Sequence, residues 1–191
     1  PPPVAAFDSR MGDYFRFRVQ LVGIKPPIFR RFLLTTQATF YDLHMAIQDA
    51  CGWEHAHLYS FRPAGRDREA IAGMPDDSGM GPSDPDAKKI KLAKWFSLTG
   101  TRECVYEYDF GDGWMHDIKI ETIEQHEGTW KRRLLDGARA FPPEDCGGLG
   151  GYEGCVEAST TGDDPNEILE WLGDWKPEHF DQIGTKRRFD K

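Results

Sequence analysis

Two aspartates and a histidine flank a glycine-containing turn in the run Tyr106-Glu107-Tyr108-Asp109-Phe110-Gly111-Asp112-Gly113-Trp114-Met115-His116-Asp117. Imidazole and carboxylate bind zinc, manganese and iron, and they carry protons near neutral pH. His44 and His57, further upstream, can join Asp109, Asp112 and His116 in one divalent-metal or acid–base set, provided the fold brings them together. The plainer alternative is a hairpin turn. Gly111 and Gly113 take positive φ cheaply, Asp112 favours turns, and each histidine can be a satisfied polar group beside an aromatic core.

A second constellation is the loop Pro143-Glu144-Asp145-Cys146-Gly147-Gly148-Leu149-Gly150-Gly151-Tyr152. Consecutive glycines ahead of a helix can offer backbone amides to an anion, but the Lys and Ser or Thr of a phosphate loop are missing. The loop reads first as a shaped turn and second as a ligand contact. With the hairpin it makes a candidate pocket of Asp109, Asp112, Trp114, His116, Glu144, Asp145 and Tyr152. A Cys146 nucleophile would need a basic partner, and none is assignable from the sequence. The third constellation is cationic: Arg16, Arg18, Lys25, Arg30 and Arg31, with Trp53 and Tyr59, could hold a nucleic-acid strand by backbone pairing and stacking. Ion pairing with the chain's own acids is the favoured reading of these arginines.

These residues need elements to position them. Residues 14–21 alternate apolar and polar, as a half-buried strand does, and 28–34 resume that pattern after the Pro26-Pro27 break and pair with it. Thr39 as N-cap, Asp42 three residues on, the spacing of Phe40, Leu43, Ile47 and Ala50, and Gly52 as terminator predict a helix over 40–51. Strands are expected at 57–61 and 131–136 and as a hairpin over 103–124, with a short strand running into a helical turn at 89–98. A long loop is expected at 62–87, with room for a short strand near Ile71. Helices are expected after Tyr152 and after Asp164-Pro165. Strands dominate early and helices come late without βαβ alternation, so the fold class is α+β. The architecture expected is a largely antiparallel twisted sheet of about five to seven strands, with helix 40–51 and the C-terminal helices packed on it. The single domain runs over 13–183, between a flexible tail at 1–12 and a basic tail at 184–191.

The chain has 191 residues, 39% hydrophobic and 13% aromatic, enough for one domain with a real core. Its net charge of −8 opposes general adhesion to nucleic acid. No apolar run approaches the roughly 20 residues of a membrane span. Cys51, Cys104, Cys146 and Cys155 form no CxxC pair and follow no secretory leader, so a reduced, cytoplasmic protein without a structural zinc site is expected.

Residues 16–19, 23–32 and 39–44, then Gly52-Trp53, His57-Leu58-Tyr59-Ser60-Phe61, the run from Tyr106 to His116, and Pro142-Pro143-Glu144-Asp145-Cys146-Gly147-Gly148 resemble, in order, the plasmid pRiA4b ORF-3-like family. The resemblance spans roughly residues 14 to 181. It implies a protein of plasmids and insertion elements, labelled passenger or resolvase-like, without an established activity. Neither a serine-recombinase active-site pattern nor a basic recognition helix accompanies it. The family pattern often places cysteines where this chain has Leu134 and Phe141, so Cys146 lacks thiolate partners for a zinc site. The leading expectation is a non-enzymatic binding or accessory module of mobile elements, holding a protein or a small ligand. The alternatives are a metal-dependent phosphoester hydrolase built on the His/Asp set, with a divalent metal as its cofactor, and a DNA-binding accessory factor in transposition.

Overall fold

A computed structural model describes residues 11–65, 69–75, 83–164 and 167–191. Seven strands form one antiparallel sheet: β1 (Met11–Leu21), β2 (Phe29–Thr35), β3 (Tyr59–Pro63), β4 (Ala72–Gly73), β5 (Glu103–Tyr108), β6 (Trp114–Glu127) and β7 (Arg132–Ala138), in the order β4-β3-β5-β6-β1-β2-β7. Among the described residues there are five helices: α1 (Phe40–Cys51), α2 (Leu92–Thr99), α3 (Gly148–Thr161), α4 (Leu169–Leu172) and α5 (Gln182–Phe189). The α+β class and the open antiparallel sheet agree with the sequence reading. The longest ladder joins β1 to β6, from Met11 opposite Glu127 to Leu21 opposite His116, with a bulge at Arg16/Phe17.

Period-two alternation sorts the side chains onto two faces. One face carries Phe17, Val19, Phe32, Tyr106, His116, Ile118 and Ile120, all buried, and α1 covers it with Phe40, Leu43, His44, Ile47 and Gln48. Burying each large apolar side chain contributes about 1.5–3 kcal/mol, so this layer holds the fold together. The other face is polar and ion-paired: Arg16 with Glu124 at 2.8 Å, Arg31 with Glu121 at 3.0 Å, and Lys119 with Glu103 at 2.9 Å.

Helix α1 begins in a capping box. The Thr39 hydroxyl accepts from the Asp42 amide at 3.2 Å and the Asp42 carboxylate accepts from the Thr39 amide at 2.8 Å, while Gly52 ends the helix in the left-handed region. Three expectations need correction. Met11 and Gly12, expected in a tail, belong to β1 because β6 extends far enough to pair with them, opposite Glu127 and His126; residues 1–10 of that tail lie outside the described residues. Residues 184–191, expected as a basic tail, lie mostly in α5: Asp181 caps it by accepting from the Gly184 amide, and Phe189 at its end is fully buried against Phe32. At 89–98 no strand precedes helix α2, which begins at Leu92, since Lys91 pairs only through an isolated bridge to Thr39. Within the expected loop 62–87, β4 is described, while 66–68 and 76–82 lie outside the described residues.

Candidate functional site

The β5–β6 connection turns over residues 109–113, closed by the Gly113 amide donating to the Asp109 carbonyl at 2.6 Å. Gly113 is left-handed, as expected, but the second left-handed residue is Asp109 and not Gly111. Its own side chain compensates the strain, because Oδ1 accepts from the Gly111 amide at 3.0 Å and from the Asp112 amide at 3.4 Å. With Oδ1 spent inside the turn, Oδ2 faces outward and lies 3.7 Å from His57 Nδ1.

His57 sits just ahead of β3, on the strand paired with β5, so sheet register carries it beside the turn. Across the imidazole, Asp145 Oδ1 lies 2.8 Å from His57 Nε2. That nitrogen is buried and has no aligned hydrogen-bond partner. One donor atom from each of His57, Asp109 and Asp145 lies within 4.8 Å of the other two.

The loop carrying Asp145 is locked to its neighbours. Trp53 Nε1 donates to the Pro142 carbonyl at 2.9 Å, the Glu54 amide donates to Glu144 at 2.6 Å, and the Gly147 amide donates to Asp112 Oδ2 at 3.1 Å. The Tyr108 hydroxyl donates to Glu144 and accepts from the Ala56 amide at 3.0 Å and the His57 amide at 3.3 Å. Burial, and then the Glu144 carboxylate, push the Tyr108 phenol upward, so it stays a donor. Tyr108 and Glu144 thereby fasten the segment bearing His57 to the segment bearing Asp145. His55 and Asp145, like Asp109, have left-handed backbones, so three of the five described non-glycine residues with positive φ cluster here. Such outliers concentrate where surrounding structure fixes a functional geometry, although Asp and His bear this conformation at low cost.

The expected metal set divides. His57 and Asp109 converge, and Asp145, assigned from the sequence to the pocket but not to the ligands, joins them. Asp112 accepts from the Gly147 amide and orders the loop. His44 and His116 do not take part, because both are fully buried in the core. Burial first, and then His55, lower the His44 pKa to about 2; its ring stacks on Tyr59 at 3.6 Å, with Nδ1 2.7 Å from the Tyr106 hydroxyl and Nε2 against His55 Nδ1. Burial lowers the His116 pKa to about 4, and its Nδ1 donates to the Trp114 carbonyl at 3.0 Å.

Of the remaining pocket residues, Glu144 organises the site, Trp114 is buried core beside Trp53, and Tyr152 lies elsewhere, packed on Trp175 with Arg139 donating to its hydroxyl. Burial raises the Cys146 thiol to about 12, with Cys155 and Asp112 adding to the effect, which opposes formation of the thiolate. Arg16, Arg18 and Arg31 share the polar face of the sheet, where Arg16 and Arg31 are ion-paired and Arg18 and Arg31, opposite each other in register, both lie over Phe29. Arg30 points to the opposite, buried face, where Nε donates to the Ala50 carbonyl at 3.0 Å and the guanidinium stacks on Phe180 at 3.7 Å. Trp53 and Tyr59 are also buried, so these two rings do not stand open beside the cations. Sequence reasoning missed Tyr108 and the Glu54 amide; the alternating burial of β5 is a signal for Tyr108 as a core position but carries none for its hydroxyl.

A model of the family described as plasmid pRiA4b ORF-3-like protein matches residues 13–183. The chain belongs to the plasmid pRiA4b ORF-3-like family. A relative named uncharacterized protein y4hQ, from Sinorhizobium fredii (strain NBRC 101917 / NGR234), is 38% identical over 164 residues, covering 83% of this chain and 80% of its own. The crystal structure of a protein of unknown function, MM3350 from Methanosarcina mazei Go1, is similar with a TM-score of 0.77 at 34% identity, covering 89% of this chain and 94% of that one. The seven-stranded sheet with its helices is therefore similar to a fold already seen in a solved structure. Leu134 and Phe141 are both buried apolar residues here, so this member builds core at those positions. Among the described residues, no helix is long and apolar enough to cross a membrane.

Proposed function

We propose that the chain is a binding module whose ligand site is a divalent cation held by His57, Asp109 and Asp145. The observation that carries this reading is the buried His57 Nε2, which faces Asp145 Oδ1 at 2.8 Å without hydrogen-bond alignment. Two donors sharing one cation at bonds of about 2.0–2.2 Å stand about 2.8–3.1 Å apart when they subtend a right angle, so the separation suits a shared ion. Charge supports it as well. Glu54, Asp109, Asp112, Glu144 and Asp145 gather at this end of the sheet, and among the described residues none of them is ion-paired to a lysine or arginine. A mixed set of one imidazole and two carboxylates suits zinc, manganese or iron.

Asp145, 68% exposed at its side chain, leaves the cation open to solvent, where an anionic group of a partner can complete its coordination. Four free cysteines support a reducing compartment such as the cytoplasm, and the family's name supports an association with plasmids. The test is calorimetric titration with manganese chloride and zinc chloride. The native chain takes up one equivalent, and His57→Ala and Asp109→Asn each weaken binding by at least about a hundredfold, more than loss of an outer-shell partner costs. Failure of the native chain to bind either ion rejects the proposal.

The same open coordination favours one second reading, a metal-dependent phosphoester hydrolase, since three protein donors and free positions are what a catalytic zinc site keeps. Turnover of bis(p-nitrophenyl) phosphate by the metal-loaded chain, abolished in Asp109→Asn, would select the hydrolase over the binding module.

A further inference from the structure

At the far end of the sheet a groove of about 680 Å³ opens between the start of β1, the end of β2, the first turns of α1 and the 128–132 segment. From Trp114 to Glu127, β6 runs about 40 Å at the usual rise per residue, so the Trp130 side of the groove lies at the opposite end of that strand from the β5–β6 turn, while Tyr41 on its near side meets the His55 ring edge-on at 6.1 Å. The volume falls within the range of pockets that bury small organic ligands.

Three features define what would fit. The first is aromatic: Tyr14 and Trp130 stack at 3.7 Å with their planes 15° apart, the Arg133 guanidinium lies over the other face of Trp130 at 4.3 Å, and the Tyr14 hydroxyl donates to the Trp130 carbonyl at 2.9 Å, which fixes the pair so that its edges line the groove. Tyr41 also lines the groove. The second is apolar and adaptable: Leu34 and Ala38 contribute small surfaces, and the thioethers of Met11 and Met45 conform to flat rings.

The third is charge. Lys131, Arg132 and Lys191 all line the groove, but Arg132 donates to the Phe189 carbonyl and pairs with Asp49, and Lys191 also pairs with Asp49 at 3.2 Å. The exposed Lys131 ammonium has no carboxylate partner among the described residues. The lining acid, Asp42, is occupied by the Thr39 amide and hydroxyl, each at 2.8 Å.

We propose that this groove is a second ligand site, taking a small planar aromatic anion whose ring lies between Tyr41, Met45 and the edges of the Tyr14–Trp130 pair and whose carboxylate meets Lys131. The site is independent of the cation, so its test uses the full chain in the presence of a chelator. Titration of 2-naphthoate, followed by ¹H–¹⁵N correlation spectra, gives saturable shifts at the Trp130 indole and the Gly128 and Lys131 amides. The neutral analogue 2-naphthalenemethanol binds the same groove about threefold more weakly or worse, as expected of one exposed ion pair. That preference disappears in Lys131→Gln, while Trp130→Ala weakens both probes. Absence of saturable shifts at these residues up to millimolar probe overturns the site, and equal affinity for the two probes overturns the assignment of an anion. Lys131→Gln changes an exposed side chain and leaves the fold intact, so the result stands even if Trp130→Ala unfolds.

Discussion

A single phenol decides how well the cation site is organised. The Tyr108 hydroxyl holds two amides of the 54–58 segment and the Glu144 carboxylate at once. Tyr108→Phe leaves both amides unpaired and releases Glu144, while keeping the buried ring. Loss of an outer-shell partner of this kind costs about 10- to 100-fold in metal affinity. Manganese titration of Tyr108→Phe should show that loss while far-ultraviolet circular dichroism stays native; unchanged affinity would show that the hydroxyl does not organise the site. At this scale the sequence was half legible. Asp109 stood out because acids beside glycines in a turn are conspicuous, and Asp145 was visible as an acid ahead of a glycine run. Their union with His57 depends on which strands pair, and that information is non-local. His44 and His116 look the same as His57 in sequence, and only burial between aromatic rings separates them from it.

Local signals resolved some elements and not others. Helix α1 was readable to the residue, since Thr39, Asp42 and Gly52 determine its ends through contacts made within a turn. Helix α3 starts at Gly148, earlier than Tyr152, and α5 replaces an expected tail, because tertiary contacts and not propensity stabilise them. The glycine run shows why. A Cβ on Gly151 would lie 1.6 Å from the Cys146 carbonyl oxygen, and one on Gly148 would lie 2.8 Å from the Asp112 carbonyl oxygen. These glycines permit backbone to approach backbone, and so bring Asp145 up to the turn. Gly151→Ala should therefore destabilise the fold by about 2–4 kcal/mol, measured by urea denaturation, and weaken the cation site with it. Gly154→Ala, where a Cβ meets nothing within 4 Å, should be neutral or stabilising. Equal effects of the two substitutions would contradict the close approach.

Across the whole molecule, the buried histidines link stability to pH. His116 and His44 stay neutral in the fold down to about pH 4 and about pH 2, against an ordinary value of 6.5. Below 6.5 the unfolded chain binds protons that the folded chain refuses, so stability present above 6.5 is lost as the pH falls toward 4. The loss reaches up to about 1.4 kcal/mol per pH unit for each ring. Urea midpoints should drop between pH 7 and pH 5, and His116→Phe should remove about half of the histidine-dependent slope. A midpoint that holds or rises on acidification would be inconsistent with neutral buried rings.

The same architecture that excludes those two histidines leaves His57 at the sheet's end with two carboxylates, and direct observation of a cation there is the decisive measurement. Crystals soaked in manganese chloride should give an anomalous difference peak about 2.0–2.3 Å from a ring nitrogen of His57 and from carboxylate oxygens of Asp145 and Asp109. The peak should vanish in His57→Ala crystals. No anomalous density at this position in a well-ordered soak, or density only at other carboxylates, would contradict the assignment of His57, Asp109 and Asp145 as a cation site.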